Sequence, residues 1–194
     1  MRYAVNMRKM FCVAGMAILV VTGCSRGDGE ERGAAQRAPT QTASAAADAS
    51  ANTVLAGLDG VIGDLQRILV RERRITPEVT DRLQAVYTGP ELLNQIDALK
   101  VDVGRGLAGY RSSPGNRLTV VSRVITARRD CVFAEVKRDY SPISSGPAQP
   151  PATLYVILVP KNPADDPKGH NPTPWAMLYD GVQDDGSQPE NVCS

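Results

Sequence analysis

Apolar residues change their spacing partway along this chain, and that change constrains its fold more than any single motif. Over residues 54–69, Val54, Leu58, Val61, Ile62, Leu65, Ile68 and Leu69 recur at intervals of three and four. That is the period of a helix with one apolar stripe. Asp59, Asp64, Gln66 and Arg67 fall opposite the stripe and form a polar face, and Asn52 or Thr53 stands where a cap is needed. Gly57, Gly60 and Gly63 weaken such a helix by roughly 1 kcal/mol each relative to alanine. The stretch "GLDGVIGD" has neither a strand before it nor the Lys-Ser/Thr of a phosphate loop, so its glycines read as helix-packing positions.

Two more helices follow. Thr76-Pro77-Glu78 is a cap, a first-turn proline and an acid suited to a helix start, and the helix runs to about Tyr87 with Gly89 as its stop. Pro90-Glu91 opens the third, with Leu92, Leu93, Ile96 and Leu99 on one side.

From residue 116 the period falls to two. Residues 116–127 and 130–140 read as strands joined by a tight turn at Arg128-Arg129-Asp130. In the second, Val132, Ala134 and Val136 share one face while Glu135 and Lys137 point the other way. Residues 153–160, "TLYVILVP", are continuously apolar and predict a central strand covered on both sides; residues 174–181 predict a fourth. The Pro- and Gly-rich connections are too short for crossover helices, so neighbouring strands should be antiparallel. The fold class is α+β: N-terminal helices packed on a curved antiparallel sheet of about four strands.

The chain begins differently. Arg2, Arg8 and Lys9 precede an apolar run from Phe11 to Gly23, the layout of a secretory signal peptide. A membrane-spanning helix needs about 20 apolar residues, and this run is shorter. Val21-Thr22-Gly23-Cys24 resembles the bacterial lipobox. The resemblance implies a diacylglycerol on the Cys24 thiol and cleavage just before it, and Met7 offers a second start for a complete leader. Residues 24–52 are then the lipidated cysteine and a spacer. From 25 to 52 there is no Leu, Ile, Val, Phe, Tyr or Trp, too little apolar surface to offset ordering entropy. The reading divides the chain into a signal peptide (1–23), a disordered linker (24–52) and a folded domain (53–194).

That address has two consequences. Loss of residues 1–23 removes three of the 22 basic residues and none of the 21 acidic ones, leaving a net charge of about −2. Without a basic patch a nucleic-acid partner is not expected. Of the four cysteines, Cys12 leaves with the leader and Cys24 carries lipid. Cys131 and Cys193 remain, in a compartment where disulfides persist, and are expected to pair. The bond would pin the polar tail "DGVQDDGSQPENV" to the sheet.

No catalytic set assembles from the residues. His170 is the single histidine and sits with Asp165 and Asp166 in "DDPKGHNP", which reads as a solvated turn rather than a metal site. No nucleophile-elbow motif is present. Asp102, Asp139 and Tyr140 would need burial to serve as acids or bases. Trp175, Tyr155, Tyr179 and Phe133 read as core aromatics lining the interior. No metal, cofactor or catalytic residue is assigned.

Two stretches, "DRLQAVYTGPELLNQIDALK" and "VPKNPADDPKGHNPTPWAMLYDG", resemble segments of actinobacterial secreted proteins with an NTF2-like (cystatin-like cone) domain. The resemblance implies a cavity between helices and sheet. It implies no single activity, since the family holds isomerases and dehydratases beside many non-enzymatic binders. The expected protein is a lipoprotein on the extracytoplasmic face of the cell membrane, a non-enzymatic binding or scaffolding domain for an envelope protein or an apolar ligand. The competing expectation is an isomerase or hydro-lyase acting on a small lipophilic molecule. A buried Asp or Tyr on the cavity floor would favour chemistry, and a wholly apolar interior would favour scaffolding.

Overall fold

Three helices precede four strands, as the change of period predicts. In the computed structural model, which describes residues 38–183 and 186–194, they are α1 (Ala38–Glu72), α2 (Pro77–Val86), α3 (Gly89–Gly104), β1 (Leu118–Arg128), β2 (Cys131–Asp139), β3 (Ala152–Pro160) and β4 (Trp175–Gly181). The leader and Cys24 lie outside the described residues. No described helix is long and apolar enough to cross a membrane.

α1 corrects the linker boundary. It begins at Ala38, inside the stretch read as a disordered spacer, and runs for 35 residues. Seven of the fifteen residues from 38 to 52 are alanine, the strongest helix former, and Pro39 sits in the first turn, where proline is tolerated. Tertiary contacts hold the last turn of this stretch. Ala51 is buried, and Asn52, in mid-helix rather than at a cap, accepts the Val121 backbone N–H through Oδ1 at 2.8 Å.

α2 starts as its sequence dictates, with Thr76 Oγ1 accepting the Val79 N–H at 3.3 Å. It ends at Val86 with Tyr87 as its C-cap, as expected. Tyr87 is extended and bridged to β4, and the Thr88 N–H donates to Met177 O at 3.0 Å. Gly89 therefore opens α3 instead of stopping α2. Its φ of +59° is a left-handed conformation that glycine adopts without penalty.

The strands form one sheet in the order β1-β2-β3-β4, antiparallel throughout. Bulges interrupt the β1–β2 register on either side of Arg123 and Val124, adding twist and bend. The helices cover one face. Leu55, Leu58, Leu69, Val79 and Val86 meet Ala134, Val136, Val156, Leu158 and Met177 in the main core. Gly63 marks a close approach in this layer: a Cβ there would overlap Asn116 Oδ1 and come within 3.2 Å of the Asn116 Cα.

The other face carries a smaller core of Cys131, Phe133, Ile157 and Cys193. Cys131 and Cys193 form the expected disulfide, with Cα atoms 5.5 Å apart, and so lay the tail across β2. Asn191 reinforces it by donating through Nδ2 to Thr126 Oγ1 at 2.9 Å. Alternate residues of β3 are thus covered from both sides, Val156 and Leu158 by helices and Ile157 by the tail. The aromatics divide accordingly. Trp175 packs with the helix side, but Phe133, Tyr155 and Tyr179 belong to the tail side and do not line the interior.

Candidate functional site

β1 is an edge strand, and its outward N–H groups need partners that a fifth strand would otherwise supply. α1 supplies them. Asn52 and Asp59, two turns apart, take the N–H of Val121 and Thr119, each at 2.8 Å. Asp59, expected on a solvated polar face, is therefore buried. Its other oxygen accepts from Arg117 Nε at 2.7 Å.

Arg117 begins a chain of buried charge. Its Nη2 lies 3.3 Å from Asp180 Oδ2 on β4. Asp180 Oδ1 in turn accepts from Arg138 Nη1, on β2, at 2.5 Å. Arg138 Nε donates to Thr119 Oγ1 at 2.9 Å, and the Tyr87 hydroxyl donates to Asp180 Oδ2 at 3.1 Å. The Tyr140 ring centre lies 6.0 Å from the Arg138 guanidinium carbon, within cation–π range. Two arginines and two aspartates thus alternate across α1, the segment before β1, β2 and β4, the linked arrangement that buried charges require.

The electrostatics fix the charge states of Asp180, Tyr87 and Arg117. Burial opposes the Asp180 charge, yet Arg138 and Arg117 overcome it and hold the carboxyl below the usual carboxylate range. Burial pushes the Tyr87 phenol far above its ordinary value, so it stays a donor. Desolvation opposes the Arg117 charge, and the Asp180 and Asp59 carboxylates outweigh it.

A pocket of about 260 Å³ opens over this network. Its floor includes Tyr87, Arg117, Arg138 and Asp180; Gln66 and Leu65 come from α1, Gln95 and Asp102 from α3, and Tyr110 and Tyr140 complete the rim. Asp102 accepts from the Tyr110 hydroxyl at 2.8 Å. A larger trough of about 670 Å³ lies on the opposite face along Leu118, Val120, Lys137 and Pro151. It is open to solvent, and no buried polar network converges on it.

Other residues weighed from sequence fall elsewhere. Asp139 accepts the Ser141 N–H and hydroxyl at 2.8 and 2.9 Å, which shapes a turn. The loop around His170 is a solvated turn at Pro167, Lys168 and Gly169, but its base is anchored. Asp166 is buried and accepts from Lys161 Nζ and from the main chain of His170 and Asn171. Asn171 ties the loop to α2 by donating to Ala85 O at 2.7 Å. His170 is half-buried in this frame. Among the described residues no group of three or more His, Cys, Asp or Glu side chains is placed to hold a metal.

The sequence reading therefore missed Asp59, Gln66, Arg117, Arg138 and Asp180. One signal was available: Arg138 stands in register with Val132, Ala134 and Val136 on the inward face of β2, and an inward arginine needs a buried acid. Against known proteins, no family model, no curated protein and no solved structure matches the chain.

Proposed function

We propose that the chain is a lipid-anchored cell-envelope protein whose NTF2-like domain binds a small ligand without transforming it. One observation carries the choice of binding over chemistry: Asp180 sits between Arg117 and Arg138 on the pocket floor. A buried Asp and Tyr there would by themselves favour an enzyme. An effective acid or base, however, has a pKa near working pH. Asp180 is held below the carboxylate range and Tyr87 far above the phenol range. Glu91, a carboxyl that burial moves upward toward neutrality, is not among the pocket's lining residues. The polar floor favours a ligand that offers hydrogen bonds over an apolar one.

The anchor and address rest on the Val21–Cys24 motif, and the Cys131–Cys193 bond is of the kind that persists outside the cytosol. Expression in a lipoprotein-processing bacterium tests them. The wild-type chain should fractionate with membranes and carry the mass of a lipid on Cys24, whereas Cys24→Ala should do neither. Equal membrane partitioning of the two would overturn the anchor. For binding, a compound released by denaturing the natively purified protein should rebind with unchanged mass; its conversion on readdition would establish an enzyme instead.

A further inference from the structure

The whole chain is nearly neutral, with 22 basic and 21 acidic residues, yet the fold gathers arginines at one end. Two stretches make that end. Residues 67–74, "RILVRERR", carry four arginines and one glutamate through the close of α1. Residues 104–115, "GRGLAGYRSSPG", lead out of α3 with two arginines and no acid. The stretches lie side by side. Arg73 Nη2 donates to Gly106 O at 3.2 Å, and Arg67 Nη1 donates to Pro114 O at 3.4 Å. The second stretch therefore runs back along the end of the first. Arg71, Arg73, Arg74, Arg105 and Arg111 are all exposed.

Little on the protein balances this charge. Arg71 pairs with Glu72, and Arg67 with Asp64. Arg73 and Arg111 donate to main-chain carbonyls, those of Gly106 and Ser141. Among the described residues, Arg73, Arg74, Arg105 and Arg111 stand in no ion pair. Even with Lys100 and the neighbouring acids Asp64, Asp97 and Asp102 included, basic residues outnumber acidic ones by seven to four. Arginines near helix C-termini ordinarily complement the dipole, but α1 and α3 each end with only about half a negative charge. Four unpaired arginines exceed what those ends can balance.

An anionic surface is the complement, and two features favour lipid over nucleic acid. Val101 is 50% exposed one turn before Arg105, whose N–H donates to Val101 O at 3.0 Å. An apolar side chain among basic ones suits the headgroup level of a bilayer. Single-stranded nucleic acid calls for aromatic rings on which bases stack. Tyr110, the one aromatic in either stretch, lines the pocket instead, with its hydroxyl on Asp102. We infer that the arginine-rich end where α1 and α3 close docks on an anionic phospholipid surface. This contact is separate from any lipid on Cys24. It goes beyond the anchor proposed above and draws on it only for the presence of a membrane.

The test mixes the natively purified protein with two kinds of vesicle, phosphatidylcholine alone and equal parts phosphatidylcholine and phosphatidylglycerol. Hydrogen exchange with mass spectrometry is the readout. Residues 71–76 and 100–111 should be protected on the anionic vesicles only, and high salt should remove that protection. Each basic residue near such a surface changes binding about fivefold, so Arg74→Glu with Arg105→Glu should lower the docked-to-free ratio by roughly 25-fold or more. Arg74→Gln with Arg105→Gln is the milder pair and reads the same loss where charge reversal disturbs folding. Arg128→Glu with Arg129→Glu makes the same change of net charge at the exposed β1–β2 hairpin and should leave the protection in place. Absent or equal protection on the two vesicles, protection that survives salt, or equal loss in the 74/105 and 128/129 pairs would each overturn the assignment. So would release from the anionic vesicles by single-stranded or duplex DNA at equal phosphate concentration, which would give the patch to nucleic acid. Sedimentation with phosphatidylcholine vesicles reports the lipid anchor by itself, so failure of the anchor and failure of the patch are distinguishable.

Discussion

Arg138 Nη1 stands 2.5 Å from Asp180 Oδ1, and the two side chains are 1% and 2% exposed. Almost no solvent reaches either charge, so each depends on the other. Removing one partner of a buried pair leaves the second desolvated and unmatched, at a cost of about 3–5 kcal/mol. Asp180→Ala strands Arg138, leaves Arg117 with Asp59 alone, and should lose about that range in urea unfolding. The exposed Arg123–Glu135 pair, at 64% and 25%, is the internal contrast. Arg123→Ala should change stability by no more than about 1 kcal/mol.

Acid should unfold the protein through the same network. Asp180 and Asp166 both have carboxyls held below the ordinary value; burial opposes this in each. Arg138 and Arg117 prevail at Asp180, and Lys161 with two backbone N–H groups at Asp166. A depressed folded-state pKa adds stability that is complete above the unfolded value, about 3.9 for Asp, and is lost as pH falls below it toward the folded value. Melting temperature should therefore decline steeply below about pH 4. In Asp180→Asn the wild-type advantage should shrink as the pH is lowered through that range. An acid limb of equal slope in both proteins would show that Asp180 titrates alike folded and unfolded.

The Cys131–Cys193 bond spans 62 positions. Closing a loop of that size is worth roughly 4 kcal/mol in the chain-entropy model. The Cys131→Ser, Cys193→Ser double variant should lose about that much and uncover Phe133 and Ile157, which share the tail-side core. Denatured but unreduced protein should show no alkylation at either cysteine by mass spectrometry.

Asn52 gives a cleaner test of how α1 guards the sheet edge. Asn52→Ala removes the acceptor of the Val121 N–H without creating a large void. An orphaned, partly buried donor costs about 1–3 kcal/mol. Hydrogen exchange at Val121 should accelerate beyond the change in global stability, and exchange at Thr119, still held by Asp59, should not.

Much of the architecture was legible because it rests on local period and local chemistry. The switch from three-four spacing to alternation predicted helices before strands, and the Thr76-Pro77 start and the four strand positions followed from residues adjacent in sequence. The Cys131–Cys193 pair followed from arithmetic on few cysteines. What the sequence concealed depends on which side of an element finds a partner far away. Ala38 to Asn52 looked like a spacer because its composition has little to bury. It is helical because alanine favours that state and Asn52 meets a strand 69 residues on. Asp59 and Gln66 looked solvated because polar residues opposite an apolar stripe ordinarily are. The aromatics Phe133, Tyr155 and Tyr179 looked like interior lining, yet the disulfide-held tail gave them a core of their own.

Sequence by itself determined the α+β class, the order of elements and the cysteine pairing, since hydrophobic period and covalent bookkeeping act along the chain. Tertiary structure alone decided the site. Asp59, Arg117, Arg138 and Asp180 come from α1, the segment before β1, β2 and β4. Each is individually an ordinary surface residue type. Burial in one place, where water no longer screens their charges, is what makes them a network.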